Sequence, residues 1–155
     1  VNALLAQRKT LLGVCFGHQL IAYCLGAKVG RAPNGWGTGR MTYTWHAPEF
    51  PAAAGRNAIA LLASHQDQVL ELPQGARLLA SSDFCPVAAY AVEDVVLCVQ
   101  PHPEFVPEYS AFLLHRRRER LGEQHYQASV ASLAAGHEGP DFARMMVAFV
   151  ESRGR

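Results

Sequence analysis

The chain has 155 residues, of which half are hydrophobic, 17% are charged and 9% are aromatic, and its formal net charge is +1. This length and composition predict one domain with an ample core, and the near-neutral charge argues against nucleic acid or an anionic membrane as the main partner. We expect neither a membrane-spanning segment nor a signal peptide, because the sequence has no apolar run of sufficient length and no basic segment followed by an apolar one near Val1.

The cysteines predict a reducing setting. Cys15, Cys24, Cys85 and Cys98 form no Cys-x-x-Cys pair, which argues against a zinc site. The last three lie in apolar stretches and are predicted to be reduced core residues. We therefore expect a cytoplasmic protein.

Hydrophobic periodicity predicts a chain that alternates between strands and helices. The predicted helices span 2–8, 18–26, 107–121, 123–135 and 141–152. The predicted strands span 10–14, 27–29, 40–45, 58–63, 76–82, 86–92 and 95–99, the last two as a hairpin. An Ala-, Pro- and Gly-rich stretch at 46–57 predicts a surface loop. The basic run at 116–118 is interpreted as a solvated helix face rather than a nucleic-acid site, because acidic residues are mixed in nearby.

The most informative stretch is Gly13-Val14-Cys15-Phe16-Gly17, between a predicted strand and a predicted helix. A Gly-x-Cys-x-Gly pattern there predicts a nucleophile elbow with cysteine as the nucleophile. Small residues at both ends let the backbone turn tightly, with Cys15 in a strained conformation. The helix N-terminus favours a thiolate, and the Phe16 N–H can stabilise an oxyanion. The alternative is a buried cysteine in an ordinary turn.

A reactive cysteine needs a base, and His102 is the best candidate. It follows the most strongly β-forming run and lies between two prolines, so the backbone there is held extended. His102 and Glu104 would then face the same side, where the carboxylate fixes the imidazole tautomer. The alternative is a polar loop that caps the strand. A further polar segment, Ser64–Val69, directly follows an apolar strand, which is where α/β folds place ligands.

Taken together, the segments 13–19, 64–69 and 100–105 resemble the motifs of the class I (triad-type) glutamine amidotransferase family. The resemblance covers roughly residues 8–106 and is nearest to stand-alone members that resemble the amidotransferase domain of GMP synthase. It implies an α/β, flavodoxin-like, three-layer domain with a mostly parallel central sheet and helices on both faces. Residues 1–155 would be a single domain corresponding to the C-terminal two-thirds of the family's usual domain. The family's N-terminal strands, and the second oxyanion donor they carry, would then be missing.

The resemblance also implies roles for individual residues. Cys15 would attack the side-chain amide of glutamine, His102 would carry the proton, and Glu104 would orient His102. The Phe16 N–H would donate to the oxyanion. Substrate contacts would come from Gly17, Gln19, Ser64, Gln66 and Asp67. The resemblance implies no metal and no organic cofactor.

Three functions remain open from the sequence. The first is a glutaminase that releases ammonia, for which a separate synthetase would be the partner because this chain contains no synthetase domain. The second is a γ-glutamyl peptide hydrolase with the same triad. The third is a catalytically weak or silent binding or scaffold subunit, which the missing N-terminal strands would favour.

Overall fold

The computed structural model describes residues 1–48 and 57–152. Its helices are α1 Asn2–Ala6, α2 Phe16–Cys24, α3 Pro107–Arg116, α4 Arg118–Leu121, α5 Glu123–Ser132 and α6 Gly139–Glu151, and a 3₁₀ turn spans Leu133–Ala135. Its strands are β1 Leu11–Val14, β2 Val29–Arg31, β3 Gly37–Trp45, β4 Ala58–His65, β5 Asp67–Val69, β6 Arg77–Ser81, β7 Ala89–Val92 and β8 Val96–Val99. None of the helices in these two ranges combines the length and apolarity needed to cross a bilayer.

Six of these strands form one sheet in the order β1-β8-β7-β6-β3-β4, and β2 and β5 form a separate antiparallel ribbon. Strands β1 and β8 are parallel, whereas the other four neighbouring pairs are antiparallel. The expected α/β architecture is therefore confirmed, but the described sheet is mixed rather than mostly parallel. The reason lies in the connections: a short turn such as the one between β7 and β8 can join only antiparallel strands, whereas a parallel pair needs a long crossover.

The sheet lies between helices on both faces, as expected. Along β8 the side chains alternate, because successive residues of a strand point to opposite faces. Val96 and Cys98 pack with the buried side chains of α2, whereas Leu97 and Val99 pack with those of α6. A third cluster, around Leu62, joins β4 to α3 and the 3₁₀ turn.

Two predicted boundaries differ from the structure. The helix predicted over 107–121 is divided at Arg117, whose φ of −105° and ψ of 6° interrupt the helical path between α3 and α4. Strand β3 begins at Gly37 rather than at residue 40. Gly39 has a φ of +72°, and a Cβ there would lie 2.6 Å from Ser132 Oγ, so the glycine lets α5 approach the strand closely instead of marking a turn. The predicted loop 46–57 falls largely on residues 49–56, which lie outside the described residues.

The turn from β1 to α2 depends on a close approach at Gly13. A Cβ at this position would lie 2.7 Å from Cys98 Sγ, 2.9 Å from the carbonyl carbon of Gly17 and 2.9 Å from the backbone nitrogen of His18. Two of these atoms belong to the backbone and cannot move aside. At Gly17, by contrast, a Cβ would meet no atom within 4 Å, so the expectation that both glycines are needed for a tight turn holds only for Gly13.

We predict that Gly13→Ala lowers the free energy of unfolding by about 1–3 kcal/mol, because the added methyl group overpacks the junction between β1 and α2. Gly17→Ala is the matched control, and alanine in the helix should leave stability unchanged or raise it by up to about 1 kcal/mol. Urea denaturation of both variants measures the difference. Equal stability of Gly13→Ala and the wild type would refute the packing argument.

Candidate active site

Cys15 lies at a sharp turn between the last residue of β1 and the first residue of α2. Its φ of 50° and ψ of −101° lie outside the regions that non-glycine residues ordinarily occupy, as the elbow prediction requires. The Cys15 N–H donates to the Val99 carbonyl at 2.9 Å, and the Cys15 carbonyl accepts from the Gln19 N–H at 3.1 Å. Phe16 is the first residue of α2, and a helix leaves the N–H groups of its first turn without an intrahelical acceptor.

The parallel register brings the second motif to the elbow. Val14 is paired with Val99, so the residues that follow, Cys15 and Gln100, leave neighbouring strands side by side at the same edge of the sheet. Two residues later, the His102 N–H donates to the Leu62 carbonyl at 2.8 Å, which fixes the motif against β4.

His102 and Glu104 form the expected pair. His102 Nδ1 lies 2.7 Å from Glu104 Oε1, and the imidazole stacks on the Phe105 ring with a centroid distance of 3.9 Å and an interplanar angle of 12°. Since Nδ1 is occupied by Glu104, Nε2 is the ring nitrogen that remains for Cys15. The imidazole is therefore held both at its edge and on one face.

The charges of the pair follow from these contacts. Burial acts to lower the pKa of His102, but hydrogen bonds with Cys15 and Glu104 outweigh it and raise this pKa to about 9. Partial burial acts to raise the pKa of Glu104, but the hydrogen bond with His102 outweighs it and lowers that pKa. At neutral pH the structure thus favours an imidazolium between the thiol group and a carboxylate.

Two further histidines close to the site differ from His102. Burial lowers the pKa of His18 to about 3 and that of His65 to about 4, so both rings are neutral at neutral pH. The His18 ring packs against Tyr90 at a centroid distance of 4.9 Å, and His65 Nδ1 lies 3.2 Å from the Asp67 carbonyl oxygen. These contacts suit packing and support better than proton transfer.

Three of the residues expected to bind substrate come together beside the elbow. Gln19 Nε2 donates to the Asp67 carbonyl at 2.8 Å, which joins α2 to the turn between β4 and β5. Ser64 lies at the end of β4, two residues beyond the position that binds the His102 backbone. The segment that contains Ser64 and Asp67 therefore lines the same edge as the elbow.

Gln66 and Gly17 are the remaining two residues expected to bind substrate, and the structure locates both through backbone groups. The Gln66 carbonyl accepts from the Ala32 N–H at 2.8 Å, which attaches the turn to the end of β2. Gly17 is partly exposed, with open space where a side chain would be, so its backbone is accessible on that side.

Two polar residues of the site were missed by the sequence analysis. The Gln100 side chain is fully buried and donates to Cys15 Sγ at 3.6 Å, although the sequence showed only that its backbone is extended. Arg117 was placed on a solvated face, but its guanidinium donates to Ser64 Oγ at 2.7 Å and lies 5.3 Å from the centre of the Trp36 ring. Its neighbours Arg116 and Arg118 are exposed, as expected.

A metal ion would need several His, Cys, Asp or Glu side chains close together to hold it. Within residues 1–48 and 57–152, no group of three or more His, Cys, Asp or Glu side chains is arranged to hold a metal ion.

Comparison with known proteins points to one family. Residues 1–116 match the family model described as "Glutamine amidotransferase class-I". The chain is 39% identical over 113 residues to "Gamma-glutamyl peptidase 3" of Arabidopsis thaliana, covering 66% of this chain and 43% of that protein. It is 41% identical over 98 residues to "GMP synthase [glutamine-hydrolyzing]" of Caldicellulosiruptor saccharolyticus, covering 62% of this chain and 19% of that protein.

A solved structure shows the same fold. A glutamine amidotransferase from Thermotoga maritima superposes with a TM-score of 0.79 at 18% identity, and the match covers 97% of this chain and 66% of that one. The chain thus spans less than half the length of the curated relatives described above and about two-thirds of this structural neighbour.

The pKa of His102 predicts a pH-dependent contribution to stability. Because this pKa is raised to about 9 from its ordinary value of 6.5, the contribution is complete below pH 6.5 and is lost as the pH rises through 9. The difference in free energy of unfolding between the wild type and His102→Gln should therefore shrink over this window. Urea denaturation between pH 6 and about 9.5 measures it, and a constant difference would contradict the assignment. Glu104→Gln keeps an acceptor for His102 Nδ1 but removes the negative charge that favours the imidazolium, so it should move the upper end of the window to lower pH.

Proposed function

This chain belongs to the class I glutamine amidotransferase family, and from that premise we propose that it hydrolyses the side-chain amide of glutamine through the triad Cys15, His102 and Glu104. The observation that carries the proposal is one arrangement: a cysteine at a positive-φ elbow, close enough to a histidine to help raise its pKa, with that histidine 2.7 Å from a carboxylate. Nucleophile, base and orienting group in contact are the signature of covalent catalysis by cysteine.

In the proposed reaction, the Cys15 thiolate attacks the γ-carbonyl carbon of glutamine, and the oxyanion is stabilised in part by the Phe16 N–H. As the C–N bond breaks, the His102 imidazolium donates its proton to the departing nitrogen, which leaves as ammonia. His102 then takes a proton from water, and the resulting hydroxide attacks the glutamyl thioester. Glutamate leaves, and the Cys15 thiolate is restored. Glu104 stabilises the imidazolium at each stage.

The substrate would lie along the edge between α2 and the turn after β4. Open space above Gly17 leaves room for the glutamyl group next to Cys15. The proposed contacts to the amino-acid end of glutamine come from Gln19, Ser64, Gln66 and Asp67, mostly through backbone groups. The hydrogen bond between Gln19 and Asp67 supports this, because it holds the two walls of the proposed pocket together.

A second candidate is hydrolysis of γ-glutamyl peptides by the same triad, in which an amino acid or peptide amine leaves instead of ammonia. It is favoured by 36–45% identity to four proteins named gamma-glutamyl peptidases. The attack on the γ-carbonyl is unchanged, so the two functions differ only in the space available to the leaving group.

The proposed reaction determines which cofactors, cellular compartment and partners we propose. Hydrolysis through a thioester needs only side chains, backbone donors and water, so we propose no metal and no organic cofactor. The nucleophile must remain a free thiol, which favours a reducing, cytoplasmic compartment. If ammonia is the useful product, a separate synthetase must use it, whereas nucleic acid and membrane have no part in the reaction.

Labelling with a glutamine-mimicking chloroketone tests the nucleophile. We expect a single adduct by intact mass on the full-length protein, because the reagent binds the glutamine pocket and alkylates Cys15. Cys15→Ala should abolish the adduct, whereas Cys24→Ala, which removes another partly exposed free thiol, should retain it. Absence of labelling on a folded protein would refute the proposal and favour a non-catalytic scaffold.

Kinetics with two substrates separates the two candidate functions. We expect glutamine to be hydrolysed with release of ammonia, and Cys15→Ser to lower kcat by at least about 1000-fold, since the triad acts as a unit. If a γ-glutamyl dipeptide has a kcat/KM more than ten times that of glutamine, the peptide is the substrate and the glutamine assignment is wrong.

A further inference from the structure

The buried side chain of Gln100 connects the nucleophile to a residue expected to bind substrate. Its Nε2 donates to Cys15 Sγ at 3.6 Å, and its Oε1 accepts from Gln19 Nε2 at 3.2 Å. Gln19 Nε2 donates in addition to the Asp67 carbonyl at 2.8 Å. A chain of hydrogen bonds therefore runs from the turn after β4 to the sulfur.

The Asp67 carbonyl, at the end of these hydrogen bonds away from the sulfur, determines which amide group donates at each step. A backbone carbonyl only accepts, so Gln19 must present its NH₂ group to Asp67. The same NH₂ group then meets the oxygen of Gln100, which leaves the NH₂ group of Gln100 facing the sulfur. The orientation of both amides is thus determined by one carbonyl.

The backbone leaves Gln100 little freedom to move away. Its N–H donates to the Ala88 carbonyl at 2.7 Å, and the following Pro101 holds it extended. The side chain is completely shielded from solvent, so without these partners its polar groups would be buried and unsatisfied, which costs free energy.

We propose that Gln100 is a positioning residue for the nucleophile: its amide N–H holds Cys15 Sγ in place and stabilises the anionic form of the sulfur. This inference rests on the proposed role of Cys15. The charged groups facing the sulfur are His102, with Glu104 behind it, whereas Gln19 and Gln100 carry no charge. Gln100 thus adds a neutral donor to the sulfur, besides the His102–Glu104 pair.

The stabilising effect of the Gln100 hydrogen bond depends on the charge that the Cys15 sulfur carries at each stage of the proposed reaction. Before attack, the donor stabilises the thiolate. In the thioester the sulfur is neutral, and the hydrogen bond is weak. When water cleaves the C–S bond, negative charge returns to sulfur, and the same N–H stabilises the leaving thiolate.

The test compares two buried glutamines. Gln100→Met keeps the volume and removes the donor. Gln68→Met is the matched control, since Gln68 is equally buried but donates to the Phe84 carbonyl, at 2.8 Å, instead of to the nucleophile. Both are made in full-length protein carrying Cys24→Ala, and the alkylation rate of Cys15 by iodoacetamide is measured against pH.

We expect Gln100→Met to move the half-maximal point of alkylation upward by on the order of one pH unit, as the loss of a hydrogen bond to a charged group implies. Gln68→Met should leave the curve in place. In the turnover assay, Gln100→Met should lower kcat more than it raises KM. Circular dichroism and urea denaturation show that each variant is folded.

A folded Gln100→Met protein with an unshifted alkylation curve would overturn the inference. If Gln100→Met does not fold, Gln100→Glu retains size and polarity, and its carboxylate should shift the curve upward further; no shift there also overturns the inference. Alkylation requires no turnover, so an inactive protein whose curve shifts as expected would refute the proposed function but retain the role of Gln100.

Discussion

The candidate site depends on the parallel pairing of β1 with β8. In a parallel pair both strands end at the same edge of the sheet, so the elbow after β1 and the His-Pro-Glu segment after β8 emerge together. An antiparallel pairing would have placed Cys15 and His102 at opposite edges. All other neighbours in the described six-stranded sheet are antiparallel, so the geometry of the site rests on this one pair and on its register, Val14 opposite Val99.

The environment of each imidazole decides what it contributes. His18 and His65 are neutral at neutral pH because burial lowers the pKa of both rings. His102 is also largely buried, yet its pKa is raised because two hydrogen-bonding partners favour the charged ring. For His18 and His65 the effect of burial on the pKa outweighs that of their backbone partners, whereas for His102 the effect of the Cys15 and Glu104 partners outweighs that of burial.

The features predicted correctly from the sequence are local. The elbow lies within five consecutive residues, and His102 and Glu104 are two residues apart in a chain that proline keeps extended. What the sequence could not predict depends on partners far along the chain. Strand direction follows from connections and pairing rather than from β propensity, so the mixed sheet was missed. Arg117 lies in a basic run that resembles a solvated face, but its guanidinium contacts Ser64 and Trp36, which are far from it along the chain.

The order in which the chain folds has a consequence for its reactivity. Hairpins such as β7–β8 join neighbouring segments and close small loops, whereas β1–β8 joins residues 11–14 to residues 96–99 and must overcome a larger loss of chain entropy. Until that loop closes, Cys15 has neither His102 nor Gln100 beside it. The proposed nucleophile therefore gains its base and its amide donor only when the longest loop in the sheet closes, after the local hairpins have formed.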